Sequence, residues 1–208
     1  MNSTLFVVHD PMCSWCWGFK PALDQLLSRL PANMHIKRVL GGLAPDTDEP
    51  MPVAMQQRLQ QTWQQIQTSI PETQFNFDFW TTNQPRRSTW QSCRAVLAVK
   101  SQRLELEVPM IEAIQKAYYL DARNPSDTET LVSIARDIGC DSGLFAEQLN
   151  SEPMQQQLRE DMSLTHQLGV RGFPSIVLQI ADGSLYSIGV NYNDPAAMLE
   201  QVEQLNVA

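Results

Sequence analysis

The chain has 208 residues, 43% of them hydrophobic and 18% charged, with a formal net charge of −8. That composition can bury the core of one ordinary domain, or of one domain carrying an insertion, and is not that of a disordered chain. The acidic balance, with no basic run to offset it, repels a phosphate backbone and argues against a nucleic-acid partner. The opening MNSTLFVVHD has no basic segment, no long apolar stretch and no small-residue cleavage site. No apolar run reaches bilayer length, so a soluble, cytoplasmic protein without a membrane partner is expected. Four cysteines do not make a disulfide scaffold; in a reducing compartment, a close pair points to catalysis or metal binding.

LFVVHD (5–10) is a short β-branched run ended by Asp-Pro, the pattern of a buried strand and a turn. From Ser14 the pattern is helical, with Leu23, Leu26, Leu27 and Leu30 at helix spacing and Pro31 as the stop. HIKRVLGGL (35–43) reads as a second strand closed by Gly-Gly. Strand, helix and strand within about forty residues form a βαβ unit, which makes the two strands parallel.

APDTDEPMP (44–52) is a linker by composition. Beyond it strand signals nearly vanish for over a hundred residues. Met55, Leu59, Trp63, Ile66 and Ile70 share one helical face, and further helices are expected over 88–103 and 108–120. In SDTETLVSIARDIG, Ser126 and Glu129 have the spacing of a capping box, and Gly139 stands where a left-handed C-terminal residue belongs. Met154, Leu158, Met162 and Thr165 mark another helix, stopped at Gly169. Strands return in SIVLQIAD (175–182) and LYSIGVN (185–191), joined by a hairpin signal at Gly183 and Ser184. A last helix opens at Asp194–Pro195. The order β-α-β, helical block, β-β-α is the connectivity of an α/β thioredoxin fold with a large all-helical insertion: residues 1–44 and 170–208 form the discontinuous fold, and 45–169 the insertion.

Within this frame DPMCSWCWGF (10–19) places a Cys-x-x-Cys pair at a helix start. Cys13 then lies beside free N–H groups at the positive end of the helix dipole, which favours its thiolate. Cys16 lies about a turn further in. Cys13 is thus expected to attack a partner's thiol or disulfide, and Cys16 to resolve the mixed disulfide. The alternatives are an inert pair and zinc, but a structural zinc site needs about four ligands. Cys93, Cys140, His9, His35 and His166 show no spacing that completes one, so no metal is expected. Trp15, between the cysteines, would offer an apolar contact to a partner.

In GVRGFPSIVL (169–178), Pro174 immediately precedes a strand. A cis proline there would turn neighbouring main-chain groups toward the cysteines, so that an extended substrate could pair beside Phe173. A trans proline at a strand's first residue is equally compatible with the sequence.

The strand ending in DPMCSWCWGF, the helical block, and LGVRGFPSIVL together resemble the DsbA family of thioredoxin-fold thiol-disulfide oxidoreductases. The likeness is strongest to its cytoplasmic predicted protein-disulfide isomerase branch, related to 2-hydroxychromene-2-carboxylate isomerase-like proteins, and covers essentially the whole chain. It implies Cys13 as nucleophile, Cys16 as its partner and Pro174 as the cis-proline facing them, with Ser14, Trp15 and Phe173 in substrate contact. It implies no bound cofactor; glutathione enters as a redox co-substrate, and a thiol- or disulfide-containing protein or peptide as the partner. The isomerase and glutathione-transferase relatives carry serine in place of Cys13, so their chemistry does not transfer directly. The periplasmic oxidases carry histidine between the cysteines where this chain has Trp15, so strong oxidising power does not transfer either. A glutathione-dependent small-molecule isomerase or transferase, and a non-catalytic peptide-binding module, are the competing functions.

Asp10 reads first as turn chemistry and second as a proton relay. QFNFDFWTTNQPRRSTW (74–90) suggests an extended segment with one apolar face, which would either line a groove over Cys13 for apolar partners or, the favoured reading, pack the helical insertion to its neighbouring domain. Arg86 and Arg87 could meet a carboxylate, though exposed arginines are ordinarily just solvated. Cys93 reads as a buried core thiol.

Overall fold

The computed structural model describes residues 3–206. Its elements run β1 (Thr4–His9), α1 (Ser14–Arg29), β2 (His35–Leu40), α2 (Val53–Ser69), α3 (Phe79–Thr82), α4 (Trp90–Gln102), α5 (Glu107–Tyr119), α6 (Thr128–Asp137), α7 (Ser142–Leu149), α8 (Glu152–Gln167), β3 (Ser175–Gln179), β4 (Leu185–Ile188) and α9 (Pro195–Asn206). This is the expected mixed α/β order, with helices filling the interval between the second and third strands. None of these helices is long and apolar enough to cross a membrane.

Two compact units result. One holds the chain up to Gly41 and from Asp161 onward; the other runs from Gly42 to Glu160. The second break thus falls inside α8 rather than after Gly169. The reason is local: Asp161 accepts the Leu40 N–H at 3.0 Å, and Leu164, Leu168 and Val170 pack on Phe6, Val8, Val39 and Val177. These residues belong physically to the sheet.

The sheet has the order β2-β1-β3-β4. β1 and β2 are parallel from Thr4↔His35 to His9↔Leu40. β1 and β3 are antiparallel from Thr4↔Gln179 to Val8↔Ser175, and β4 continues antiparallel on β3. Leu5 through His9 are all buried, as a central strand covered on both faces requires. Leu5, Ile176, Leu178 and Ile188 pack with Phe19 and Leu26 of α1 and Met198 and Val202 of α9. Each such buried large side chain contributes roughly 1.5–3 kcal/mol. At the β3–β4 hairpin, Gly183 has φ +93 and the Asp182 carboxylate accepts the Ser184 N–H at 2.8 Å.

The insertion is built around Trp63, which is fully buried. Phe75 stacks on it at 4.8 Å, and the rings of Phe77, Phe79, Trp80, Tyr118 and Tyr119 lie within 6.1 Å. The aromatic run therefore packs within the insertion itself, where the sequence suggests packing to the neighbouring domain, and not as an extended segment. It turns into the single-turn helix α3, which brings Phe79 and Trp80 onto Trp63 from one side. The expected capping box also does not form. Ser126 is buried and its hydroxyl donates to the Ser88 carbonyl at 2.8 Å. Asp127 occupies the N-cap of α6, with its carboxylate on Arg86 at 2.6 Å.

Candidate active site

The strand register assembles the site. Pairing of Val8 with Ser175 and of His9 with Leu40 brings three chain segments to one end of the sheet. These are the turn after β1, the residue after β2 and the residues before β3. Cys13, Gly41 and Phe173–Pro174 occupy those segments. The Phe173–Pro174 peptide bond is cis.

The turn is fixed by the backbone and by Asp10. Cys13 N–H donates to the Asp10 carbonyl at 3.0 Å, and Met12 N–H donates to Asp10 Oδ1 at 2.8 Å. Asp10 is fully buried. Cys13 is the N-cap of α1, with φ −81 and ψ 117, a position ordinarily given to Ser, Thr, Asp or Asn. As a neutral thiol it makes no capping hydrogen bond. As a thiolate it takes the capping role, met by the backbone N–H groups of Cys16 and Trp15.

The two sulfurs are differentiated by this geometry. The Cys16 thiol donates to the Cys13 sulfur, and this contact, more than the N–H groups, holds Cys13 below the ordinary thiol range against the opposing effects of burial and the Asp10 charge. Cys16 is pushed well above that range, first by burial and then by donating to Cys13. None of the four cysteines is in a disulfide. Asp10→Asn keeps an oxygen for the Met12 N–H and removes the charge. It should shift the alkylation midpoint of Cys13 to lower pH. A midpoint that stays or rises would show that the carboxylate does not act on the sulfur.

Cys13 Sγ also donates to the Phe173 carbonyl at 3.6 Å. The Phe173 ring points the other way, among Phe6, Val8, Val39 and Val177. It lies so close over Gly41 that an added Cβ would sit 2.0 Å from its Cζ. Phe173 thus presents main chain, not ring, to the pair. Ser14, the first residue of α1, is 9% exposed. Trp15 is half-buried and packs against Tyr192 with ring centroids 5.2 Å apart.

Other sequence candidates lie elsewhere. Arg86, bound to Asp127 and to the Ser126 carbonyl, belongs to the insertion. Cys93 is fully buried in α4, and Cys140 donates to Gln102 Oε1 at 3.0 Å. Among the described residues, no group of three or more His, Cys, Asp or Glu gathers where a metal could sit. Sequence reasoning missed Gly41 and Tyr192. Gly41 read only as a strand end; Tyr192 was embedded in NYND, an ordinary turn composition before a helix.

A family model described as thioredoxin matches residues 5–201. The chain belongs to the thioredoxin family. In fold it is also similar to DsbA, with a TM-score of 0.60 and 16% identity to that of Pseudomonas aeruginosa, over 99% of this chain and 83% of the other. One thioredoxin-fold neighbour, a candidate protein disulfide isomerase from Nitrosomonas europaea, superposes with a TM-score of 0.86 at 24% identity, over 98% of this chain and 97% of the other. The cytosolic disulfide reductase DsbM from Pseudomonas aeruginosa superposes with 0.80 at 24% identity, over 99% and 100%. The same protein with GSH gives 0.77 at 21% identity, again over 99% and 100%. Among curated proteins, the ClpXP adapter protein SpxH of Halalkalibacterium halodurans is 23% identical over 83% of this chain. The chain spans 57% of that relative's length.

Proposed function

We propose that this thioredoxin-family chain is a cytoplasmic thiol-disulfide oxidoreductase or isomerase acting on cysteine-containing protein or peptide partners. Cys13 is the nucleophile and Cys16 the resolving thiol. The observation that carries the reading is the setting of Cys13: a helix N-cap, two N–H groups and the Cys16 thiol aimed at its sulfur, and the Phe173 carbonyl alongside.

The Cys13 thiolate attacks one sulfur of a partner's disulfide. The partner's S–S bond breaks as the Cys13–partner bond forms, and the departing thiolate takes a proton. Cys16 then gives up its proton and attacks Cys13 Sγ, releasing the second partner thiol. The pair is oxidised by the two electrons that reduce the partner. Two molecules of reduced glutathione, or a dithiol protein of thioredoxin type, restore the dithiol; run backwards, the same steps oxidise a partner. An extended partner pairs with the main chain at Phe173 and Pro174, and the exposed part of Trp15 flanks it. Ser14 touches a partner only through the small surface it leaves open.

The test is the Cys13–Cys16 equilibrium in glutathione buffers, read by Trp15 and Trp17 fluorescence and by thiol trapping. A two-electron transition is expected. A midpoint at or above the cytosolic glutathione poise of about −220 to −260 mV supports isomerase or oxidase work, and a lower one reductase work. No cooperative disulfide at any poise sinks the reading. The name of the curated relatives favours a second reading, a non-catalytic adapter. That reading requires function to survive serine at both Cys13 and Cys16.

A further inference from the structure

Resting on the exchange chemistry above, we propose that Tyr192 and Trp15 form an aromatic wall beside Cys13 that selects partners carrying an aromatic or large apolar side chain next to the reacting cysteine. The wall is a specificity element that nothing in the Cys-x-x-Cys pair itself dictates, because Tyr192 arrives from the far end of the chain.

Three observations build it. Trp15 is the second residue of α1, between the two cysteines, and its ring meets Tyr192 at 5.2 Å with the planes 58° apart. Tyr192 in turn stands edge-on to Phe19 at 5.6 Å, which anchors it to the apolar core of the sheet. Both rings of the wall keep partly exposed surface, while the Cys13 residue is only 7% exposed. On this proposal a partner sulfur approaching Cys13 brings its neighbouring side chains against Trp15 and Tyr192.

The wall is also held in place before a partner arrives. Asn191 Oδ1 accepts the N–H groups of Asn193 and Asp194 at 3.1 and 2.9 Å, closing the turn around Tyr192. Asp194 Oδ1 accepts those of Ala196 and Ala197 at 3.1 and 3.2 Å, tying the turn to α9. Gly189 N–H donates to Gln201 Oε1 at 2.9 Å on the other side. An aromatic side chain with few rotatable bonds on a clamped turn offers contact area at little ordering cost. Burial first, and then the Cys16 and Cys13 sulfurs, push ionisation of the Tyr192 phenol upward. It thus stays neutral and adds no second negative charge beside the thiolate. Glutathione, small and bearing two carboxylates, has no apolar side chain to lay on such a surface.

The experiment measures rate constants for the reduced full chain with two peptide disulfides identical except for Phe or Ser beside the cysteine. The wild type is expected to favour the Phe peptide about tenfold, the scale of one aromatic pair. Tyr192→Phe should keep that ratio, while Tyr192→Ala and Trp15→Ala bring it toward one. The ratio is read only on variants whose circular dichroism is native, because the thiols of an unfolded fraction would react with both peptides alike and pull it toward one. A wild-type ratio of one, or an unchanged ratio in both alanine variants, overturns the wall while leaving exchange chemistry intact. Reaction of the wild type with neither peptide sinks the exchange reading, and the wall with it.

Discussion

Cys16→Ala should accumulate a mixed disulfide on Cys13 and lose turnover by on the order of a thousandfold or more. An intramolecular thiol acts at an effective concentration that millimolar external thiol cannot approach. Cys16→Ser should also fail to turn over, yet differ in one respect. The Cys16 hydrogen bond is the largest influence holding Cys13 below the ordinary thiol range. Serine retains a donor at that place and alanine does not. The pH at which Cys13 is half-alkylated should therefore rise further in Cys16→Ala than in Cys16→Ser. At neutral pH the alanine variant should consequently capture partners more slowly, because less of its sulfur is ionised. Equal midpoints in the two variants would assign the lowered pKa to the helix terminus alone. Cys13→Ser should form no mixed disulfide at all, as intact-mass measurement after trapping will report.

The second large effect is expected far from the sulfur in sequence. In Gly41→Ala the new Cβ would collide with the Phe173 ring, 2.0 Å from its Cζ and 2.1 Å from Cε1. Both sides resist: the half-buried ring packs against Phe6, Val8, Val39 and Val177, and Gly41 N–H is held on the His9 carbonyl at 2.7 Å. The ring must move, and the Phe173 carbonyl beside Cys13 is expected to shift with it. The variant should lose about 1–3 kcal/mol in urea denaturation, the scale of overpacking. It should also lose most of its exchange rate with extended peptides. The diagnostic is reciprocity: Phe173→Ala removes the obstructing ring, so the double variant should recover stability relative to Gly41→Ala alone. Additive losses in that cycle would mean that the two residues are not coupled.

These two sites differ in how far they could be read from sequence. Cys13 and Cys16 were legible because the strand, turn and helix start that give them meaning lie within a few residues of one another. The hairpin at Gly183 and the helix end at Gly139 were legible for the same reason: each is a local device, with φ +93 and +80. Local devices also misled. Ser126 has capping-box spacing, but its hydroxyl is taken by the Ser88 carbonyl across the insertion. The helix α7 was missed although Asp141 caps it through the Gly143 and Leu144 N–H groups, both at 3.0 Å. Gly41 and Tyr192 were beyond a one-dimensional reading. Each matters because of a neighbour that only the sheet order brings to it, Phe173 in one case and Trp15 in the other.

The pairing of β1 with β3 also has a consequence for the order in which the protein matures on the ribosome. The insertion, Gly42 to Glu160, is a continuous compact unit, and such units generally fold as they emerge. The sheet cannot: β1 meets β2 at once but must wait for Ser175–Gln179 before its other edge is covered. At ordinary elongation speeds that wait is on the order of ten seconds. Throughout it the nascent chain carries both thiols but neither the Phe173 carbonyl nor Tyr192. Completion of the thiol site thus waits until the whole insertion has been made. A chain that terminates within the insertion would present Cys13 and Cys16 without the Phe173 carbonyl or Tyr192 beside them.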